Sequence, residues 1–207
     1  MAVRRADGEK TRAKVLDVAL PLFAAHGFAG TSIRMISSAA GVNVATLAYH
    51  FEDKEGLYRT VVQRLHHDLA RSFPTSPPQL GDLDALLRWY LDSAWTFCVE
   101  HREHNRLLLR HVLDRGALPD VVMENWTDVL MGRAVEVLQM FRPELDAVRA
   151  RVMVSAIQHL LVRFTLEDPA QFSLIVGSDG HDLSVEIVDF LEDLVRSQLG
   201  LPALSRS

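Results

Sequence analysis

The chain has 207 residues, 48% of them hydrophobic and 24% charged, with a formal net charge of −5. That balance excludes a disordered chain and allows a buried core without covalent staples. A single cysteine, Cys98, excludes an internal disulfide framework and suits a reducing cytoplasm, and no run of 18 apolar residues suggests a membrane span.

Charge is unevenly distributed. Residues 1–50 hold six basic residues (Arg4, Arg5, Lys10, Arg12, Lys14, Arg34) and three acidic ones (Asp7, Glu9, Asp17), whereas the remainder is acidic. A basic head on an acidic body is the pattern of a chain that presents one end to a polyanion. The apolar run from Val15 to Ala25 superficially resembles an export leader. Asp7 and Glu9 in front of it, and Asp17 and Pro21 inside it, argue for a helix instead.

Glycine and proline divide the chain into helices. The first is predicted from Lys10 to His26, with Val15, Leu16, Ala19, Leu22 and Phe23 at helical spacing and Gly27 as its stop. Pro21 predicts a kink within it. Thr31-Ser32 caps a second helix through Ile33, Ile36 and Ala40, closed by Gly41. Asn43 caps a short third, Val44 to His50, and Asp53 a fourth, Lys54 to Ser72. Pro74-Thr75-Ser76-Pro77-Pro78 reads as a linker. Further helices are predicted at Leu83–Glu103, Asn105–Arg115, Asp120–Phe141, Glu144–Leu166 and Asp182–Leu199. Breaks are expected at Gly116 and Pro119, at Pro143, and from Asp168-Pro169 to Gly180. The expectation is an all-α chain of about nine helices with no strand.

Two helices joined by a glycine-containing turn form a helix-turn-helix, and residues 32–51 fit that spacing. Ile33, Ile36 and Leu47 would supply its small core, and Ala39, Ala40 and Ala45 would keep the crossing close. Gly41 would take the positive φ of the turn. A plain helical corner has the same spacing. The outward residues of the third helix favour the DNA-binding form: Thr46, Tyr49 and His50, with Asn43 and Val44 at the tip. Threonine bonds to bases or touches a thymine methyl, and tyrosine packs on sugar or methyl. His50, Lys54, Arg34, Ser32 and the basic arm at residues 4–14 would meet phosphates, Lys54 at a helix N-terminus whose amides attract anions.

Three segments carry a family likeness: A-L-P-L-F-A-A-H-G-F, T-S-I-R-M-I-S-S-A-A-G-V and T-L-A-Y-H-F-x-D-K-E-G-L-Y. Over residues 10–70 the chain resembles the tetracycline-repressor (TetR) family of bacterial transcriptional regulators. The resemblance implies a helix-turn-helix DNA-binding domain at residues 1–55 and a ligand-binding and dimerisation domain at residues 56–207. It implies a homodimer on a double-stranded operator with two-fold related half-sites, in the cytoplasm, with no cofactor and no enzymatic activity. By motif position, base contacts would fall on Val44, Ala45, Thr46 and Tyr49, and phosphate contacts on Ser32, Arg34, His50 and Lys54. Ala48 stands where the family commonly has tyrosine, and Val44 where a polar residue is frequent.

The body is less explicit. Apolar stripes on Glu144–Leu166 and Asp182–Leu199 are wider than one packing face requires. They fit either an intramolecular core or a four-helix interface between two copies, which the resemblance favours. Trp89, Trp95, Met123 and Trp126 lie on the middle helices. They form either core or an apolar pocket with His101, Asn105 and His111 as polar anchors. An unknown small apolar or amphipathic effector there would release the operator. Cys98, His101, His104 and His111 invite a zinc reading, but an expected helix break separates the last two, and no metal is expected. No phosphate loop or nucleophile elbow is present. The competing reading is a helical sensor or carrier whose head contacts protein instead of DNA.

Overall fold

The structure is a computed structural model describing residues 2–72, 82–117, 131–178 and 182–204, with the side chains of 2–6, 66 and 68–72 outside the description. The described residues form ten helices and no strand: α1 Ala2–Gly30, α2 Ile33–Ala40, α3 Val44–Phe51, α4 Lys54–Ser72, α5 Leu83–Glu100, α6 Arg102–Arg115, α7 Gly132–Phe141, α8 Ala147–Leu166, α9 Pro169–Val176 and α10 Ser184–Leu199. The expected linker at 74–78 and the first part of the helix expected at Asp120–Phe141 lie outside the described residues.

The chain divides into two compact units. One comprises Met1–Leu69 with Glu103–Met123, the other Ala70–Arg102 with Glu124–Ser207. The first unit thus keeps most of α4 and adds α6, where the sequence suggested a cut at residue 55. The reason is packing. Its core of Val15, Ala19, Phe23, Ile36, Leu47, Leu57 and Val62 is joined by Leu107, which is fully buried. Arg110 of α6 donates to the carbonyl of Ala25 at 2.7 Å.

Three local corrections concern this unit. α1 begins at Ala2, not Lys10, so the basic arm is itself helical. Its alanines, arginines, lysine and glutamate favour helix enough to outweigh Gly8. α1 also continues through Pro21, and the single non-helical residue inside it is Gly27, with φ 70° and ψ 176°. Glycine adopts that angle without steric cost, and the buried Thr31 hydroxyl fixes it by donating to the Gly27 carbonyl at 2.8 Å. Finally, only Ala40 of the three alanines expected at the helix crossing is buried; Ala39 and Ala45 are exposed.

In the second unit α5 packs on α7, α8 and α10, and α8 on α7 and α10. Leu87, Leu91, Met153, Leu161, Val188, Leu191 and Val195 are buried in a shared core, with Trp95 and Phe141 against it. Ion pairs tie α5 to α10: Asp84 meets the buried Arg196 at 2.5 Å, and Arg88 meets Asp189. Burial disfavours the Arg88 cation, but hydrogen bonds to Asp92 and Asp189 outweigh it and raise its pKa. α9 corrects the expected break at 168–180. Asp168 accepts from the Gln171 amide at 3.0 Å, Pro169 occupies the first turn, and the Gly177 amide returns to Ser173. Proline at the first helical position starts a helix instead of ending one, because its missing N–H would have had no partner there.

Candidate nucleic-acid interface

The turn between α2 and α3 is closed by backbone. Gly41 sits at φ 65°, the Val42 amide donates to the Ser37 carbonyl at 3.0 Å, and the Gly41 amide to Ser38 at 3.2 Å. This six-to-one closure with a left-handed glycine ends α2 abruptly and redirects the chain. Leu47 and Phe51 are buried beneath α3, which leaves the other side of that helix outward. There Tyr49 is 85% and Val44 46% exposed; Ala45 and Ala48 are also exposed, and Thr46 and His50 half-buried.

Several of the candidate contacts are already at work within the head. Asn43 caps α3, its Oδ1 accepting both the Thr46 amide at 2.7 Å and the Thr46 hydroxyl at 2.8 Å. Ser32 caps α2 by accepting from the Met35 amide at 3.1 Å. A hydroxyl that donates to a cap still has lone pairs to accept, so Thr46 remains able to take a hydrogen bond from a base amino group. Arg34 is exposed. His50 packs edge-on against Tyr49, ring centres 5.1 Å apart.

The basic start of α1 lies beside α3. The Arg12 guanidinium is 5.4 Å from the centre of the Phe51 ring. A Cβ at Gly8 would sit 3.8 Å from His50, and one at Gly41 would sit 3.7 Å from the Lys14 ammonium. Arg12 and Lys14, both exposed, therefore lie beside α3 and the turn that leads into it. Lys54 opens α4, with its ammonium 4.3 Å from the centre of the Phe28 ring.

A tight turn joins α3 to α4. Glu52 takes φ 68° and ψ −67°, and the Asp53 amide donates to the Phe51 carbonyl at 2.8 Å. These are the angles and bond of a positive-φ γ-turn, a strained form for a side chain with a Cβ. Asp53 caps α4 through the Gly56 amide at 2.8 Å. Behind the turn, Tyr58 and His111 are buried and hydrogen-bonded at 2.8 Å with their rings stacked. Burial pushes the Tyr58 hydroxyl up to about 12, so it stays protonated and donates to Nδ1. Burial, reinforced by Arg115, pushes His111 below its usual range. Nothing in the spacing of the sequence linked these two residues, which are 53 positions apart.

The candidate effector residues fall in both units. Trp89, Trp95 and His101 belong to the second, half-buried; Asn105 and His111 are buried in the first; Met123 and Trp126 lie outside the described residues. Cys98 is buried, and the described residues contain no cluster of three or more metal-ligating side chains. A separate open apolar groove is lined by Phe164, Phe172, Leu183, Ile187 and Phe190. No described helix is long and apolar enough to cross a membrane.

Residues 15–61 match the model of the bacterial regulatory proteins of the tetR family. The HTH-type transcriptional repressor NicS of Pseudomonas putida is 30% identical over 149 residues, covering 72% of this chain and 68% of that one. The probable HTH-type transcriptional regulator YttP of Bacillus subtilis is 29% identical over 119 residues, 56% of this chain and 57% of that one. The chain thus spans between just over half and about two thirds of the length of these relatives. In fold, a TetR-like transcriptional regulator from Rhodococcus sp. RHA1 superposes with a TM-score of 0.68 at 20% identity, covering 92% of this chain and 96% of that one. The chain belongs to the tetR family of bacterial regulatory proteins.

Proposed function

We propose that the chain is a transcriptional repressor that works in the cytoplasm as a homodimer on a two-fold related DNA operator. The observation that carries this reading is the outward face of α3. Tyr49 projects almost free of the fold, on a helix anchored by Leu47 and Phe51, with Arg12 and Lys14 beside it and the turn that leads into it. A short helix presented in this way enters a major groove with its N-terminal residues at the base edges. Val44, Ala45, Thr46 and Tyr49 then read bases, Val44 and Ala45 by apolar contact alone. Asn43 sets the angle of the helix tip, and Ser32, Arg34, His50 and Lys54 meet the flanking phosphates.

Dimerisation uses α8 and α10, which leave Val148, Val152, Val185 and Phe190 more than half exposed. Two heads paired this way would lie about 34 Å apart, one turn of duplex. An apolar or amphipathic effector held among the middle helices, with Trp89, Trp95 and His101 among its contacts, releases the operator by favouring the other spacing of the heads. A differential affinity of a few kcal/mol moves most of the population. A gel shift on the promoter region of the chain's own gene tests the core of this reading. Binding that weakens steeply with salt is expected, and Tyr49→Ala should narrow the gap between operator and unrelated duplex. No shift even at low salt would remove it.

A further inference from the structure

Lys54 is a cation at the N-terminus of α4, and among the described residues it forms no ion pair. The carboxylates on either side of it in sequence are both engaged elsewhere: Asp53 accepts from the Gly56 amide at 2.8 Å, and Glu55 is held by Arg115 at 2.9 Å. The Lys54 ammonium instead lies 4.3 Å from the centre of the Phe28 ring, and the Arg115 guanidinium lies 4.8 Å from that centre. The ring is itself fixed. It follows the positive-φ Gly27, packs edge-on to Tyr58 at 5.2 Å and stacks with Phe23 at 6.3 Å.

We propose that Phe28 and Arg115 are positioning residues for duplex binding, which hold the Lys54 ammonium beside the first amides of α4 as a ready-placed phosphate contact. The proposal rests on the DNA-binding reading above. A lysine carries a long flexible stem, and ordering it on binding is costly. A ring face attracts the ammonium yet accepts no conventional hydrogen bond, so its N–H donors stay available to a phosphate. The same amides that open α4 favour an anion at that point. Arg115 contributes by neutralising Glu55, whose carboxylate at the start of α4 would otherwise repel the phosphate. Neither residue touches DNA.

The slope of log affinity against log salt counts the phosphates neutralised, about 0.9 for each contact. It is measured for the full chain on its operator, with Lys54→Gln, Phe28→Leu, Phe28→Tyr, Arg115→Gln and the Phe28→Leu, Lys54→Gln double variant. Thermal melting of each variant is followed in parallel. Lys54→Gln should lower the slope by about one unit per subunit. Phe28→Leu should move it most of the way to the same value, and Lys54→Gln should then add little in that background. Phe28→Tyr, which keeps the ring face, should retain the wild-type slope. If Phe28→Leu melts below the assay temperature, Arg115→Gln carries the test: its side chain is at the surface, and it too should lower the slope. A full loss from Lys54→Gln in both Phe28 backgrounds overturns the proposal, as does an unchanged slope in Arg115→Gln. An unchanged slope in Lys54→Gln also overturns it while leaving DNA binding intact. Absence of any duplex binding by the wild type removes the underlying reading instead.

Discussion

Two single residues carry opposing demands in the turn that follows α3. Glu52 holds a positive φ that costs a residue with a Cβ on the order of 1 kcal/mol or more. Gly56, two residues into α4, lies so close to the Phe51 carbonyl that a Cβ there would stand 2.2 Å from its oxygen. Alanine usually stabilises a helical position over glycine. Here Gly56→Ala should do the reverse and cost about 1–3 kcal/mol, because a backbone oxygen cannot step aside; the urea midpoint would report the sign. Glu52→Gly should move that midpoint the other way. His111 brings a pH dependence. Its folded pKa lies below the unfolded value because burial, and then Arg115, disfavour the imidazolium. The unfolded chain takes up the proton first as pH falls. The contribution is therefore complete above about pH 6.5 and is lost as pH drops through the folded pKa. His111→Phe, which keeps a ring against Tyr58, should be less stable at pH 8, and its loss of stability between pH 8 and pH 5.5 should be smaller than in the wild type. Identical pH profiles for the two proteins would locate the titration elsewhere.

At the scale of the element, caps decide both structure and recognition. Asn43 was expected at the DNA surface from its place at the tip of α3, and its side chain closes the first turn of that helix through Thr46. Asn43→Ala should cost about 1 kcal/mol of stability and weaken operator binding by loosening the helix tip. Asn43→Ser or Asn43→Asp should restore the cap and the stability. Asn43→Ser should also restore most of the binding, which separates a capping role from a base contact when affinities are compared. The helix-turn-helix was legible in the sequence because its signals are local: Ser32, Gly41, Asn43 and Asp53 are each within three residues of the bond they make or the turn they shape. α9 was missed for an equally local reason. Proline inside a chain usually ends a helix, and on that rule Asp168-Pro169 reads as a stop, although an acidic cap before a first-turn proline is a start. The link between α4 and α6 was not legible at all. It depends on Tyr58 meeting His111 and Glu55 meeting Arg115, pairs that no period or spacing brings together.

For the whole molecule the governing question is how an acidic chain becomes a reader of DNA. One head contributes a single short helix, and its limited set of contacts gives little discrimination; specificity requires two heads at a fixed spacing. The second unit offers a surface suited to that role. α8 spends Met153 and Leu161 on its own core yet leaves Val148 and Val152 at 66% and 63% exposure, and α10 buries Val188 and Leu191 while leaving Phe190 at 52%. Apolar side chains exposed at one-turn spacing on a helix already anchored by its other face are the surface that the proposed dimer would cover. Val152→Asp tests this without touching either core. The variant should keep its helical content and its unfolding midpoint at low concentration, because the substituted side chain is already in solvent. A buried, unpaired carboxylate on each side of a two-fold interface should split the dimer, and light scattering should report half the mass of the wild type. Operator affinity should then drop toward the level of non-specific duplex, even though α3 is unaltered. A Val152→Asp protein that remains dimeric would move the interface away from α8, and one that is monomeric yet binds the operator at full strength would remove the need for paired heads.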